Sequence, residues 1–242
     1  MAVDDRRRTD VRALQVSAWR GQEHVVVLSP APDRPAPTAA VVASAVDRLR
    51  TQGIQRILTG ALHPGELAPF LGAGFVEHER LHLLRHDLIH LPTGTAPGPT
   101  RQRRGRRGDR PAVLGLDRRA FDDFWTLDER GLTDAIRATP SSRFRVALDG
   151  RGPIVGYAIT GQAADRGYLQ RLAVDPDRHR AGIGRALVAD CLRWLSRHGS
   201  RVALVNTQEG NASALGLYEA CGFVLEPRGL TVLHLDLPTT TT

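Results

Sequence analysis

In the 242-residue chain, the residues best suited by type and spacing to do chemistry lie in the segment Val174-Asp-Pro-Asp-Arg-His-Arg-Ala-Gly-Ile-Gly-Arg-Ala-Leu187. The run before it, Tyr168–Val174, reads as a strand ended by Asp175-Pro176. After it, Ile183, Ala186, Leu187, Cys191, Trp194 and Leu195 recur on one helical stripe as far as His198. A tight loop with Gly182 and Gly184 therefore joins a strand to a helix N-terminus. Backbone N–H groups there, with no Cβ in the way, can cradle a pyrophosphate. Arg180 and Arg185 add positive charge. Two glycines in an ordinary strand-to-helix turn are about as good an explanation of this segment taken alone.

A second segment, Asn211-Ala-Ser-Ala-Leu-Gly-Leu-Tyr-Glu-Ala-Cys-Gly-Phe223, places Asn211, Leu215 and Tyr218 near one helix face. The structural alternative is Asn211 as an N-cap and Tyr218 as a core aromatic. With both segments present in this order, residues from about Ala112 to Leu237 resemble the GNAT superfamily of acyl-CoA N-acyltransferases. The resemblance implies acetyl-CoA as cosubstrate, no metal, and direct attack of an amine on the thioester. It assigns backbone groups of Leu172, Ala173 and Val174 to the pantetheine arm and acyl carbonyl. The loop His179, Arg180, Ala181, Gly182, Ile183, Gly184 and Arg185 would hold the CoA pyrophosphate. Asn206 would lie along the cofactor arm, and Asn211 and Tyr218 would contact its sulfur end. Tyr218 would protonate the leaving thiolate, a task open to a phenol at hydrogen-bond reach.

Two departures from the family pattern stand out. His179 replaces the usual Gln or Arg of the loop. The strand Tyr168–Val174 also lacks the glutamate that often serves as general base, which leaves water, Asp165 or Glu209. Trp125, with Phe121 and Phe124, falls where the family borders its acceptor pocket, although a core cluster explains these rings as well. Cys191 and Cys221 read as structural thiols.

The elements expected around these residues are a strand at Ala112–Leu116, helices at Arg118–Phe124 and Asp128–Thr139, and a hairpin of Phe144–Asp149 with Ile154–Thr160. A strand at Val202–Val205, a helix at Ala212–Ala220 and a last strand at Leu230–Leu235 follow. The first half repeats this ending at an offset of 146 residues, with Ala40–Gly53 over Ala186–Gly199 and Val26–Pro30 over Leu172–Pro176. After a two-residue slip, Phe70 meets Tyr218, and Gly74-Phe75 meets Gly222-Phe223. The loop counterpart, Asp33-Arg-Pro-Ala-Pro-Thr38, has lost both glycines and two N–H donors. The expectation is an α/β (α+β) GNAT fold, a mixed, mostly antiparallel sheet flanked by helices, in a tandem pseudo-repeat. Residues 1–90 form a degenerate, non-catalytic half, 91–111 a flexible linker, and 112–242 the catalytic domain.

Composition narrows the class. The formal charge of +7 is carried wholly by arginine, because the chain has no lysine, and it concentrates in the joint: residues 89–112 hold six arginines and one aspartate. Gly, Pro and Arg dominate there, so a solvated linker is favoured over an arm for nucleic acid, which would interleave aromatic residues. No apolar stretch suits a membrane span, and the charged start does not resemble a secretory signal, so a cytoplasmic protein is expected. The leading function is an acetyl-CoA-dependent N-acetyltransferase acting on an amine of a small molecule or a protein N-terminus. The competitors are a CoA-binding regulator without turnover and a nucleic-acid-associated protein using residues 101–110. The amine acceptor is not legible in the sequence.

Overall fold

The computed structural model describes residues 13–20, 22–31, 34–92 and 100–238. Asp33 and the joint residues 93–99 lie outside the described residues. The chain divides into two compact units. The first comprises Met1–His82 with Pro227–Thr242, and the second Leu83–Glu226.

The first unit carries β1 (Leu14–Trp19), β2 (Gln22–Pro30), β3 (Arg56–Leu58), the N-terminal part of β4 (Val76–His86) and the chain's last strand, β11 (Leu230–Asp236), in the sheet order β1-β2-β3-β11-β4. β2 and β3 run parallel, and the other pairs are antiparallel. Helix α1 (Ala39–Thr51) buries Val42, Val46 and Leu49 against Leu28, Ile57, Phe70 and Phe75. Leu233 and Leu237 belong to the same core, and Arg56 is paired with Asp236. The short α2 is Leu67–Leu71.

The second unit is built on β5 (Thr100–Arg104), β6 (Ser141–Asp149), β7 (Ile154–Ala163), β8 (Arg166–Val174) and β9 (Val202–Gln208), hydrogen-bonded in the order β9-β8-β7-β6-β5. The two-residue β10 (Val224–Leu225) pairs with Leu84 and Arg85. Helices α3 (Arg110–Ala120) and α4 (Glu129–Arg137) share a core with Tyr157, Ile159 and Ala173. Helices α5 (Ile183–Arg197) and α6 (Ala212–Ala220) pack in a second core through Leu187, Cys191, Leu192, Leu195 and Tyr218.

The repeat is visible in the elements themselves. α1 and α5 are both followed by a left-handed glycine, Gly53 at φ +80° and Gly199 at φ +81°. Phe70 and Phe75 meet edge-on at 5.4 Å, and Tyr218 and Phe223 repeat the contact at 5.8 Å.

Three expectations need correction. Ala112–Leu116 is helical: Pro111 in the first turn favours a helix start, and Val113, Leu114, Leu116 and Asp117 form one buried face of α3. Residues 100–104 are strand β5 rather than flexible joint. Their backbone pairs with Arg145–Asp149, Arg103 holds Asp109 through two bonds of 2.7 Å, and Gly105 lies so close to the Phe144 ring that a Cβ would sit 2.3 Å from it. Counting apolar side chains missed that a backbone ladder and an ion pair can order an arginine-rich segment. Finally, β11 does not pair with β9, the strand that precedes it among the expected strands of the catalytic segment, but lies between β3 and β4. The catalytic segment expected at 112–242 is thus not one compact unit.

Candidate active site

In the second unit, β8 and β9 begin as a parallel pair and then part. The ladder consists of Arg166↔Val202, Gly167↔Ala203 and Tyr168↔Leu204, although β8 runs on to Val174 and β9 to Gln208. On its other side β8 stays paired with β7 to Val174, with a bulge that skips Gln170. A cleft of about 800 Å³ adjoins the C-terminal end of β8, walled by Leu172, Ala173 and Val174, by the glycine loop and by α6. The first unit pairs its equivalent strands differently, Val25–Val27 with Arg56–Leu58. Its ladder therefore lies five residues further along the strand than in the second unit. The Gly60 N–H donates to Ser29 Oγ at 3.1 Å, tying these strand ends together.

The loop keeps the N-terminus of α5 open. Gly182, at φ +78°, precedes α5 and offers no side-chain cap, so the first-turn N–H groups, which have no partner within the helix, are not capped by it. Arg180 is also left-handed, at φ +62° without being glycine, a conformation that costs about 1 kcal/mol or more. Such strain concentrates at functional loops. In the first unit Thr38 caps α1 itself, accepting from the Val41 N–H at 3.4 Å, so that helix spends on its own side chain what α5 leaves available. Ion pairs at 2.6 Å, Arg119 with Asp175 and Arg178 with Asp149, brace the segment. Burial would raise the Asp175 carboxyl, but the bonds from Arg119 and the Asp177 N–H outweigh it and hold the group below its ordinary range. His179 Nε2 lies 3.3 Å from the Val174 carbonyl, fastening the loop to the strand. Gly184 serves packing as well as access: a Cβ there would stand 2.9 Å from Leu217 on α6.

Of the residues singled out by sequence, Ile183, Arg185, Asn211 and Tyr218 join these on the cleft wall, whereas Ala181 and Asn206 do not. Asn206 is exposed, on the strand face opposite buried Ala203 and Val205. Asn211 is the N-cap of α6, its Oδ1 accepting from the Ala214 N–H at 3.0 Å. Tyr218 is 5% exposed, and burial, the largest influence, pushes its phenol well above the ordinary value.

No carboxylate lines the cleft among the described residues. Asp165 lies in the turn before β8, nine residues from Val174, roughly 30 Å away along an extended strand. It is too remote to serve as a base there. Glu209 is exposed just beyond β9. The acid that sequence reasoning missed is Asp117 on α3, fully buried, which accepts from Arg171, from the Leu127 N–H and from the Tyr157 hydroxyl. Its signal was a carboxylate one residue after Leu116 and four after Val113, on an apolar helix face. Arg171 also donates to the Trp125 carbonyl and stacks 3.5 Å over the Phe121 ring, which lines the cleft.

A profile of the Acetyltransferase (GNAT) family matches residues 111–223. The [ribosomal protein bS18]-alanine N-acetyltransferase of Escherichia coli K12 is 30% identical over 116 residues, which are 48% of this chain and 74% of that protein. The mycothiol acetyltransferase of Salinispora arenicola is 31% identical over 202 residues, 74% of this chain and 64% of that protein. Among solved structures, a tandem GNAT protein from the clavulanic acid biosynthesis pathway aligns with a TM-score of 0.68 at 16% identity, covering 92% of this chain and 78% of that one. A GCN5-related N-acetyltransferase from Sphaerobacter thermophilus aligns at 0.65 and 15% identity, over 93% of this chain and 76% of that one. These structural likenesses concern the fold. Combined with the sequence matches, they support one conclusion: the chain belongs to the GNAT family of acetyltransferases.

Proposed function

We propose that the second unit transfers an acetyl group from acetyl-CoA directly to a primary amine, on a small molecule or a protein N-terminus, and that the first unit takes no part in the chemistry. The observation that carries this reading is one cleft where parted strands, an uncapped helix N-terminus and a buried tyrosine converge. The cleft suits acetyl-CoA chemically: unspent N–H groups and Arg180 and Arg185 for phosphates, and an apolar wall of Leu172, Val174, Ala214 and Leu217 for the arm.

Bound acetyl-CoA supplies an activated thioester carbonyl. Backbone groups of Leu172–Val174 orient the arm and steady negative charge developing on the carbonyl oxygen. Tyr218 holds a proton for the departing sulfur, and its raised pKa keeps that proton in place at neutral pH. The amine must be uncharged to attack. With no carboxylate in the wall, its proton passes to water or to Glu209. Phe121 and the segment that Arg171 braces form the acceptor side. The relatives' names indicate two kinds of acceptor, an alanine of a ribosomal protein and a mycothiol-related small molecule.

The lack of a wall carboxylate gives a second reading, CoA binding without turnover. Thiol release from acetyl-CoA by the full chain, measured over a panel of amines that includes alanine-initiated peptides, decides between them. Acceptor-dependent release is expected. Tight acetyl-CoA binding with no release over a broad panel would favour the regulator.

A further inference from the structure

The second unit contains another cleft, of about 850 Å³, distant from the one above. Its wall includes Trp194 and His198 at the C-terminal end of α5, whereas the cofactor loop is at the N-terminal end. Fifteen helical residues separate the two by roughly 20 Å. The rest of the wall comes from the start of β6, the end of α4 and the segment after β5.

Among the described residues, seven arginines line this cleft and no carboxylate does. Three carboxylates outside the lining answer some of that charge: Glu129 pairs with Arg110, Asp190 with Arg143 and Arg145, and Asp109 lies beside Arg106. Arg145 is poorly served even so. Its buried Nε has only Asp190 Oδ2, at 3.2 Å, and burial, reinforced by Arg143, lowers its pKa against the pull of Asp190. Arg104, Arg107 and Arg137 are exposed and form no ion pair among the described residues. Clustering like charges costs energy, and a site that keeps them unneutralised is poised for an anion. The wall also holds flat apolar surface, because the Trp194 and His198 rings lie 4.5 Å apart at 35°. Planar guanidinium forks beside aromatic rings match phosphate next to a base.

We propose that this cleft binds a nucleoside phosphate, its phosphates on the arginines and its base against Trp194 and His198. A free nucleotide and a unit of single-stranded RNA share this chemistry. The arginine-rich joint thereby acquires a role as one wall of a preformed site.

The test titrates the full chain with UTP, oligo(U) of ten residues and inorganic phosphate by calorimetry, and repeats this with Arg107→Gln/Arg137→Gln and with a distant control, Arg151→Gln. The expected result is that UTP or oligo(U) binds more tightly than phosphate, that the double variant weakens binding at least tenfold, and that the control does not. Tighter oligo(U) binding would identify a strand as the source, with a log–log salt slope shallower by about 1.4 in the double variant. Comparable affinities would identify a free nucleotide. Absence of binding, equal binding of phosphate, or equal losses in the double variant and the control would overturn the proposal. Acetyl-CoA affinity of the double variant, together with its circular dichroism, reports on the fold, and both should be unchanged.

Discussion

Arg171 lies in a two-bond pair with buried Asp117, at 2.9 and 2.8 Å, while its remaining reach is taken by the Trp125 carbonyl. One ion pair thus fixes β8, α3 and the connection between α3 and α4 to one another. Removing one partner strands the other charge in a site with little water, a loss of about 3–5 kcal/mol. Asp117→Leu should lower the urea midpoint strongly, as should Arg171→Met. Replacing both, Asp117→Leu with Arg171→Met, should recover part of the loss. A double variant no better than the sum of its parts would mean that the two residues act separately.

Gly182 permits a cleaner test of the loop than Gly184. A Cβ at residue 182 meets nothing within 4 Å, so Gly182→Ala acts through backbone conformation alone. Holding alanine left-handed costs about 1–2 kcal/mol. Acetyl-CoA affinity should fall by about tenfold as the cradle relaxes, while the circular dichroism spectrum is retained. Unaltered affinity would remove the loop from the phosphate site. Gly184→Glu should abolish binding, although its contact with Leu217 makes it a less specific probe.

Tyr218→Phe keeps the ring against Phe223 and removes the hydroxyl. We expect kcat to fall about 10²-fold with acetyl-CoA affinity little changed, the pattern for loss of a proton donor. An undiminished kcat would show that the thiolate leaves without this residue.

Legibility in the sequence followed the locality of the signals. The strand–loop–helix around Val174–Leu187 and helix Ala212–Ala220 were read correctly because cap, stripe and stop lie within a few residues. The tandem repeat was legible because helix stops and paired aromatics recur at nearly the same offset, with one two-residue slip between them. The Ala112–Leu116 run is apolar enough for either element, and Pro111 decides for helix. Three features depend on partners far away in sequence, and local reading could not find them: the parting of β8 from β9, the position of β11 beside β3, and the Asp117–Arg171 pair 54 residues apart.

His86 gives the second unit a pH dependence. Its ring is 2% exposed, accepts from the Leu88 N–H at 2.9 Å and lies edge-on to Phe223 at 5.3 Å. Burial lowers its pKa from 6.5, opposed by Asp87 and by a backbone bond at Cys221. The unfolded chain therefore takes up this proton at a higher pH than the folded one. Stability contributed here is full above pH 6.5 and drains away as the pH falls from there through the folded value. Urea midpoints between about pH 7.5 and 5 should drop in the wild type, and His86→Asn should flatten the part of that slope nearest the ordinary histidine pKa. An identical slope in the variant would assign the dependence to other groups.

The chain should bind one acetyl-CoA, although its repeat supplies two related halves. The first unit lacks each requirement. Its β2–β3 ladder reaches Val27, whose counterpart in the second unit, Ala173, lies where β8 has already parted from β9. Thr38 occupies the N-terminus of α1, Pro35 and Pro37 remove donors, and Phe70 has no proton to give. Calorimetry should return a stoichiometry of one, and two equivalent sites would overturn the division of labour. The first unit is needed all the same, because it holds the chain's last strand. A fragment starting at Arg110 would deprive β11 of both β3 and β4, of the Arg56 pair with Asp236 and of the core that buries Leu233 and Leu237. Exposing that strand's edges and apolar face invites aggregation. Such a fragment should be insoluble or markedly less stable than the full chain, and a well-behaved, acetyl-CoA-binding fragment 110–242 would show that β11 finds another place in the fold.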